Sequence, residues 1–254
     1  MIFDTHAHYD DKAFDEDRES LILSLPESGI KAVVNVGANL ESTRRTVELV
    51  NRYSFFYGAA GIHPSETGEI CDADIRSLEE LAKEERMVAV GEIGLDYYWK
   101  EPEHHIQKKW FLSQLDLARR VHLPVIIHSR DAAKDTLDIM KAEKSGEIGG
   151  VVHCFSYSKE IAREYLNMGF FLGVGGVLTF QNARQLKEVV EYAPMDRLVL
   201  ETDCPYLSPV PYRGKRNSSL MLPFVVEAAA KIKGISSREV EEITWNNAKT
   251  LYRI

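Results

Sequence analysis

The sequence predicts an α/β protein wound as a (β/α)8 barrel, the TIM barrel, with one extra helix at its C-terminal end. Three observations predict it. Eight short apolar segments alternate with eight amphipathic ones over 254 residues, near the ~250 residues that such a barrel occupies. Five of the apolar segments run directly into metal-ligating residue types: 2–3 leads to His6 and His8, 87–90 to Glu92, 125–127 to His128, 151–152 to His153, and 198–200 to Asp203. A barrel of parallel strands gathers strand C-termini from distant sequence positions onto one face, which is where these residues would meet.

The strands are expected near 2–7, 32–37, 55–60, 87–92, 124–128, 149–153, 170–175 and 197–202. Between them, near 16–27, 41–52, 73–85, 103–121, 131–144, 158–168, 181–192 and 219–233, apolar residues recur among charged ones at helical spacing. Segment 103–121 is the clearest, with Trp110, Leu112, Leu115, Leu117 and Ala118 set among charges. A ninth helix over 236–252 opens at Ser236-Ser237 with Glu239 placed for a capping box, and is expected to close the bottom or side of the barrel. No low-complexity stretch, linker or break in composition interrupts the alternation, so a single domain is expected over 1–254.

A hydrophobic fraction of 44% and a charged fraction of 28% are ordinary for a globular enzyme. The net charge of −8 argues against a broad basic surface for nucleic acid. It leaves room for a nuclease whose field comes from bound cations and one basic loop, Tyr212-Arg213-Gly214-Lys215-Arg216-Asn217. The opening Met1-Ile2-Phe3-Asp4 does not resemble a signal peptide, and the longest nearly apolar run, 170–180, is too short for a membrane span of ~20 residues. Three widely spaced cysteines read as reduced thiols, and a cytoplasmic protein is expected. Cys154 and Cys204 directly follow His153 and Asp203, so strand alternation is expected to turn both away from the site and into packing.

The chemistry follows from the donor set. His6 and His8, two apart on a strand, face the same side and can share one metal. Eight histidines give only about 0.25 chance His-x-His pairs, a modest signal alone. Six ligand residues at five strand ends are a strong one. Four imidazoles and two carboxylates can hold two divalent cations, Zn or Mn better than calcium, with Glu92 free to bridge. Such a pair suits in-line phosphoester hydrolysis by a water of lowered pKa, which Asp203 would orient or deprotonate. His63, ending the third strand, is expected to contact a phosphate oxygen or leaving group as a protonated imidazole; a plain loop histidine is the alternative. Arg130 would bind phosphate or pair with Asp131, and Arg213, Lys215 and Arg216 would bind the sugar-phosphate backbone. Asp4 and Glu201 share the strand parity of the ligands and are candidates for hydrogen bonds to their imidazoles. His104, His105 and His122 read as surface residues.

Six blocks carry a resemblance: Asp4-Thr5-His6-Ala7-His8, Gly61-Ile62-His63-Pro64, Gly91-Glu92-Ile93-Gly94-Leu95-Asp96-Tyr97, His128-Ser129-Arg130-Asp131-Ala132, His153-Cys154-Phe155 and Glu201-Thr202-Asp203-Cys204-Pro205-Tyr206-Leu207. In this order they resemble the TatD family of metal-dependent hydrolases from residue 2 to Arg253. The resemblance implies an amidohydrolase-like barrel and a two-metal site formed by His6, His8, Glu92, His128, His153 and Asp203. It also implies Mg- or Mn-supported deoxyribonuclease activity, often exonucleolytic, with His63 at the scissile phosphate. One departure stands out: after Arg213-Gly214-Lys215-Arg216-Asn217 the family continues Glu-Pro, and this chain has Ser218-Ser219.

The partner expected is DNA, as single strands or ends, with no membrane and no protein partner inferred. Two other functions are open to the same residues. One is a related barrel hydrolase acting on a small phosphoester, amide or lactone; Glu92 at the fourth strand end, where many such barrels carry a carboxylated lysine, favours the nuclease. The other is a non-catalytic, metal-stabilised nucleic-acid-binding protein, which would keep its metals coordinatively closed.

Overall fold

Parallel neighbours need long crossovers, and the alternation in the sequence supplies them. The computed structural model describes residues 1–254. Its strands are β1 (Ile2–Ala7), β2 (Ile30–Val36), β3 (Phe56–Ala60), β4 (Met87–Asp96), β5 (Val125–Arg130), β6 (Gly150–Val152), β7 (Phe171–Val174) and β8 (Leu198–Leu200). They form one sheet in chain order, every pair parallel. The ring closes just beyond β8, where Ala7 bridges Cys204, Asp203 N–H donates to His6 O at 2.9 Å and His8 N–H donates to Cys204 O at 2.9 Å. Helices α1 (Arg18–Ser24), α2 (Leu40–Arg52), α3 (Asp72–Ala82), α4 (His104–Val121), α5 (Ala133–Ala142), α6 (Lys159–Asn167), α7 (Arg184–Tyr192) and α8 (Leu222–Lys233) connect and follow the strands. None is long and apolar enough to cross a membrane.

Two apolar layers hold this arrangement. The larger lies between strands and helices, where residues such as Leu49, Leu78, Leu115, Phe111 and Val189 are buried. The smaller fills the barrel interior with Phe3, Val34, Ala59, Val88, Ile126, Val151, Phe171 and Val199. Ala248, Leu251 and Tyr252 of α9 (Ser237–Tyr252) belong to that inner layer, so the last helix plugs the end of the barrel opposite the strand C-termini. The capping box forms as the sequence implies, with Glu239 N–H donating to Ser236 Oγ and Ser236 N–H donating to Glu239 Oε2. Asn247 Nδ2 donates to Met195 O and Leu198 O, and the Tyr252 hydroxyl to Thr5 O, each at 2.7 Å, which pins α9 to β1 and β8.

Three departures from the expected strands shape the site. First, β4 continues four residues past Glu92 to Asp96, pairing Gly94 with His128 and Asp96 with Arg130. Glycine is needed at Gly94, whose φ is +146° and where a Cβ would lie 1.9 Å from His128 O. Second, β6 and β8 are only three residues long, so His153 and Asp203 sit on the turns that follow and not in the strands. Third, β1 shifts register between Asp4 and Ala7, which breaks strict alternation there.

Candidate metal centre

The strand C-termini surround a cavity of about 1220 Å3 whose walls include His8, His63, Glu92, His128, His153 and Asp203. His6 lies fully buried beneath them. The structure therefore brings together all six residues singled out as ligands, together with His63.

One set has the spacing of a coordination shell. His6 Nε2 is 3.1 Å from His8 Nε2, 3.4 Å from Glu92 Oε2 and 3.6 Å from Asp203 Oδ1. His8 Nε2 is 3.7 Å from Glu92 Oε2 and 3.3 Å from Asp203 Oδ1. A tetrahedron with metal–ligand distances of ~2.1 Å has edges of ~3.4 Å, so these four atoms fit one cation. The Nδ1 of His8 lies 2.8 Å from the carbonyl of Val36. A carbonyl only accepts, so Nδ1 carries the hydrogen and the Nε2 lone pair faces the two carboxylates.

The other set is drawn tighter. Glu92 Oε1 lies 2.6 Å from both His128 Nδ1 and His153 Nε2, which are 3.2 Å apart. These are hydrogen-bond distances, and the three groups must part by about 0.8 Å to share an ion. On its far side His128 Nε2 lies 3.2 Å from Asp96 Oδ2. A carboxylate partner at Nε2 leaves Nδ1 as the coordinating nitrogen. Asp96 thus belongs to the site although its sequence position drew no role. The signal was present: on a strand that continues past Glu92, positions 92, 94 and 96 share a face.

Protonation follows from burial opposed by charge. Burial alone would push the Glu92 carboxyl up, but His153, His128 and His6 hold it well below its usual value. Asp203 is likewise lowered, burial being outweighed by His8 and its imidazole neighbours. His8 goes the other way: against burial, Asp203, Glu92 and Asp10 pull its pKa up to about 10. The field that draws a proton onto His8 is one that favours a divalent cation in its place.

His63 differs from the cationic group expected there. Burial, with His128 beside it, lowers its pKa to about 3. Its Nδ1 accepts from Ser65 N–H at 3.2 Å and lies 2.7 Å from Ser65 Oγ. The ring hydrogen is accordingly on Nε2, which faces Glu92 Oε1 at 3.8 Å. His63 is a neutral donor pointed into the cavity, because a desolvated imidazole with no carboxylate at bonding distance does not stay charged.

Several further expectations change. Asp4 makes no contact with a ligand imidazole; it accepts from Thr202 Oγ1 and Ser219 Oγ, both at 2.6 Å. The register shift in β1 is the reason, since it turns Asp4 outward while His6 faces in. Ser219 also accepts from the Tyr9 hydroxyl at 2.8 Å. The departure from Glu-Pro thus installs a buried hydroxyl that both accepts and donates, which proline cannot do. Glu201 does lie behind an imidazole, its Oε1 3.8 Å from His153 Nδ1 and accepting from Cys154 N–H. Cys204 is buried, but Cys154 lines the cavity, because β6 has ended and its φ of +45° cancels strand alternation. His104, His105 and His122 are exposed, as expected, with His104 stacked on Tyr97.

Arg130 lines the cavity with no carboxylate in salt-bridge range, its guanidinium 3.8 Å from the centroid of the Tyr98 ring. It is not paired with Asp131. Arg213, Lys215 and Arg216 are exposed but absent from the cavity wall, and Arg213 sits over Phe180. Arg216 departs from the phosphate-binding role: it donates to both oxygens of Asp17, at 2.7 and 2.6 Å, and to Ala13 O, and covers the Phe14 ring. A guanidinium so held ties the last loop to the segment before α1. Arg216→Ala is expected to cost about 1 kcal/mol of stability, as an exposed ion pair does, and to leave the salt dependence of nucleic-acid affinity as in wild type. Thermal melts and salt-titrated binding curves separate the two effects; a flattened salt slope would return Arg216 to the phosphate backbone.

The model of the family "TatD related DNase" matches residues 3–253. The uncharacterized metal-dependent hydrolase YabD of Bacillus subtilis (strain 168) is 43% identical over 254 residues, covering 100% of both chains. A protein of Klebsiella pneumoniae (strain 342) named 3'-5' ssDNA/RNA exonuclease TatD is 30% identical over 258 residues, covering 100% of this chain and 98% of its own. The crystal structure of YjjV, a TatD homologue from Escherichia coli K12, superposes with a TM-score of 0.94 at 29% identity, covering 100% of this chain and 98% of that one. A closed parallel barrel, His, Glu and Asp clusters able to hold metal, and this likeness over the full length agree: the chain belongs to the TatD family and is a metal-dependent hydrolase.

Proposed function

We propose that the protein is a deoxyribonuclease that hydrolyses phosphodiester bonds at single-stranded DNA ends, with two divalent cations at the strand C-termini. The observation that carries the reading is the split of Glu92: Oε2 faces His6 and His8 while Oε1 faces His128 and His153. One carboxylate serving two imidazole pairs is the arrangement of a two-metal centre. His6, His8, Glu92 and Asp203 would hold one ion, and Glu92, His128 and His153 the other. When bound, the ions polarise phosphate oxygens and lower the pKa of water in the site.

The residues of the chain supply the rest. Asp203, ionised and partly open to the cavity, orients the attacking water and takes its proton. His63 donates through Nε2–H to a phosphate oxygen and so stabilises charge as it develops there. Arg130 offers a charge-assisted contact to the same backbone. The name of the Klebsiella relative supports a single-stranded nucleic acid as substrate. The three unpaired cysteines accord with a reducing, cytoplasmic setting.

The test is turnover by metal-reconstituted protein on 5′- and 3′-labelled single-stranded DNA, beside a panel of small phosphoesters, amides and lactones. Stepwise shortening of the strand, lost in EDTA and restored by Mn or Mg, is expected. Turnover of a small ester or amide with intact DNA in the same preparation would transfer the chain to the small-molecule branch of such barrels.

A further inference from the structure

Three large aromatic side chains at the cavity mouth are left in solvent: Tyr98 is 55% exposed, Trp99 53% and Tyr206 55%. The other two tryptophans, Trp110 and Trp245, are buried or half-buried. Trp99 and Tyr206 both line the cavity whose walls carry His8, Glu92, His128, His153 and Asp203. They follow β4 and β8, which stand on opposite sides of an eight-strand ring, so the two rings flank the cluster from facing rims.

Neither rim is loose. On one, Tyr98 N–H donates to Asp96 Oδ1 at 3.0 Å, and Asp96 in turn faces His128. Tyr98 also carries the Arg130 guanidinium on its ring face and meets Trp99 edge-on at 4.8 Å. On the other, the Tyr206 hydroxyl donates to Asp11 Oδ2 at 2.9 Å, which fixes the phenol while leaving the residue mostly exposed. Exposed aromatics held in place, with the unpaired Arg130 guanidinium lining the same cavity, match what a single strand needs: ring faces for bases and a cation for phosphate.

We infer that Trp99 and Tyr206 are stacking platforms for unpaired nucleobases, one on each side of the scissile phosphate. This rests on the nuclease reading and names what that reading leaves open, the reason a single strand is taken. Only a single strand can offer a free base face to both rings, because inside a duplex each base is covered by its neighbours and a blunt end exposes only the outer face of its last pair. Stacking on a ring is tolerant of base identity, so the site would accept DNA and RNA without sequence preference.

Binding is measured on metal-loaded protein with labelled phosphorothioate strands, read by fluorescence anisotropy, using DNA, RNA, blunt duplex and an abasic strand of equal length. Both base-bearing single strands are expected to bind and to quench tryptophan fluorescence; the abasic strand and duplex should bind weakly and quench little. Trp99→Ala and Tyr206→Ala should each weaken single-strand binding by roughly 5- to 100-fold, and Trp99→Phe should recover most of the loss. Equal affinity for abasic and base-bearing strands, or wild-type affinity in the Trp99→Ala, Tyr206→Ala double variant, overturns the inference. Discrimination against abasic strands by a protein that hydrolyses no DNA would instead overturn the nuclease reading and leave the platforms standing.

Discussion

Replacing Glu92 or Asp203 by alanine is expected to reduce hydrolysis by at least roughly 10^3-fold while the barrel stays folded. The two variants should differ in what they lose. Glu92 touches both imidazole pairs, whereas Asp203 lies near His6 and His8 alone. Elemental analysis is accordingly expected to find both metal equivalents depleted in Glu92→Ala and one retained in Asp203→Ala. The fold should survive because these side chains stand above the apolar interior, which Phe3, Ile126, Val199 and the residues of α9 fill independently of them. Circular dichroism and a thermal melt check that part. Wild-type turnover by purified Asp203→Ala, with host nucleases excluded, would sink its proposed role at the water.

The second large effect is expected at His63, with the opposite metal signature. Its Nδ1 is engaged by Ser65, its ring hydrogen sits on Nε2, and burial keeps it neutral. A neutral Nε2–H has no lone pair for a cation but is a good donor to an oxygen gaining charge. One such donor typically contributes ~2.7–4 kcal/mol to a transition state, so His63→Ala should lose about 100- to 1,000-fold in turnover. Metal content should stay at the wild-type level. Ser65→Ala gives a milder control: the hydroxyl contact goes, but the backbone donor that sets the tautomer remains. Loss of one metal equivalent in His63→Ala would make the imidazole a ligand and require the second set to be redrawn around it.

The neutral His63 and the strut at Arg216 show where sequence reading loses its grip. Period-two alternation placed His6 and His8 on one face correctly, yet it also assigned Asp4 and Cys154 to the wrong sides. Each error arises where the strand is irregular: at the register shift in β1, and beyond the end of β6 at a positive φ. Asp96 lies beyond the expected strand 87–92 and joins the site only because β4 runs on to it, with Gly94 letting the strand lie close against β5. Arg216 looked like a free cation because Asp17 is distant in sequence and close only after the last loop folds back.

By itself, then, the sequence determined the alternation of strands and helices, the order of the barrel, the capped helix at its base and the residue types delivered to the strand tips. These are local matters: periodicity, capping chemistry and which residue follows an apolar run depend on neighbours along the chain. The tertiary structure decided which nitrogen of each imidazole faces the centre, that Glu92 divides its two oxygens between two pairs, that His63 is neutral, and which basic residues keep their charge for a ligand. Those properties depend on burial and on partners supplied by other strands and loops, in distances of a few ångströms that no spacing in the sequence encodes.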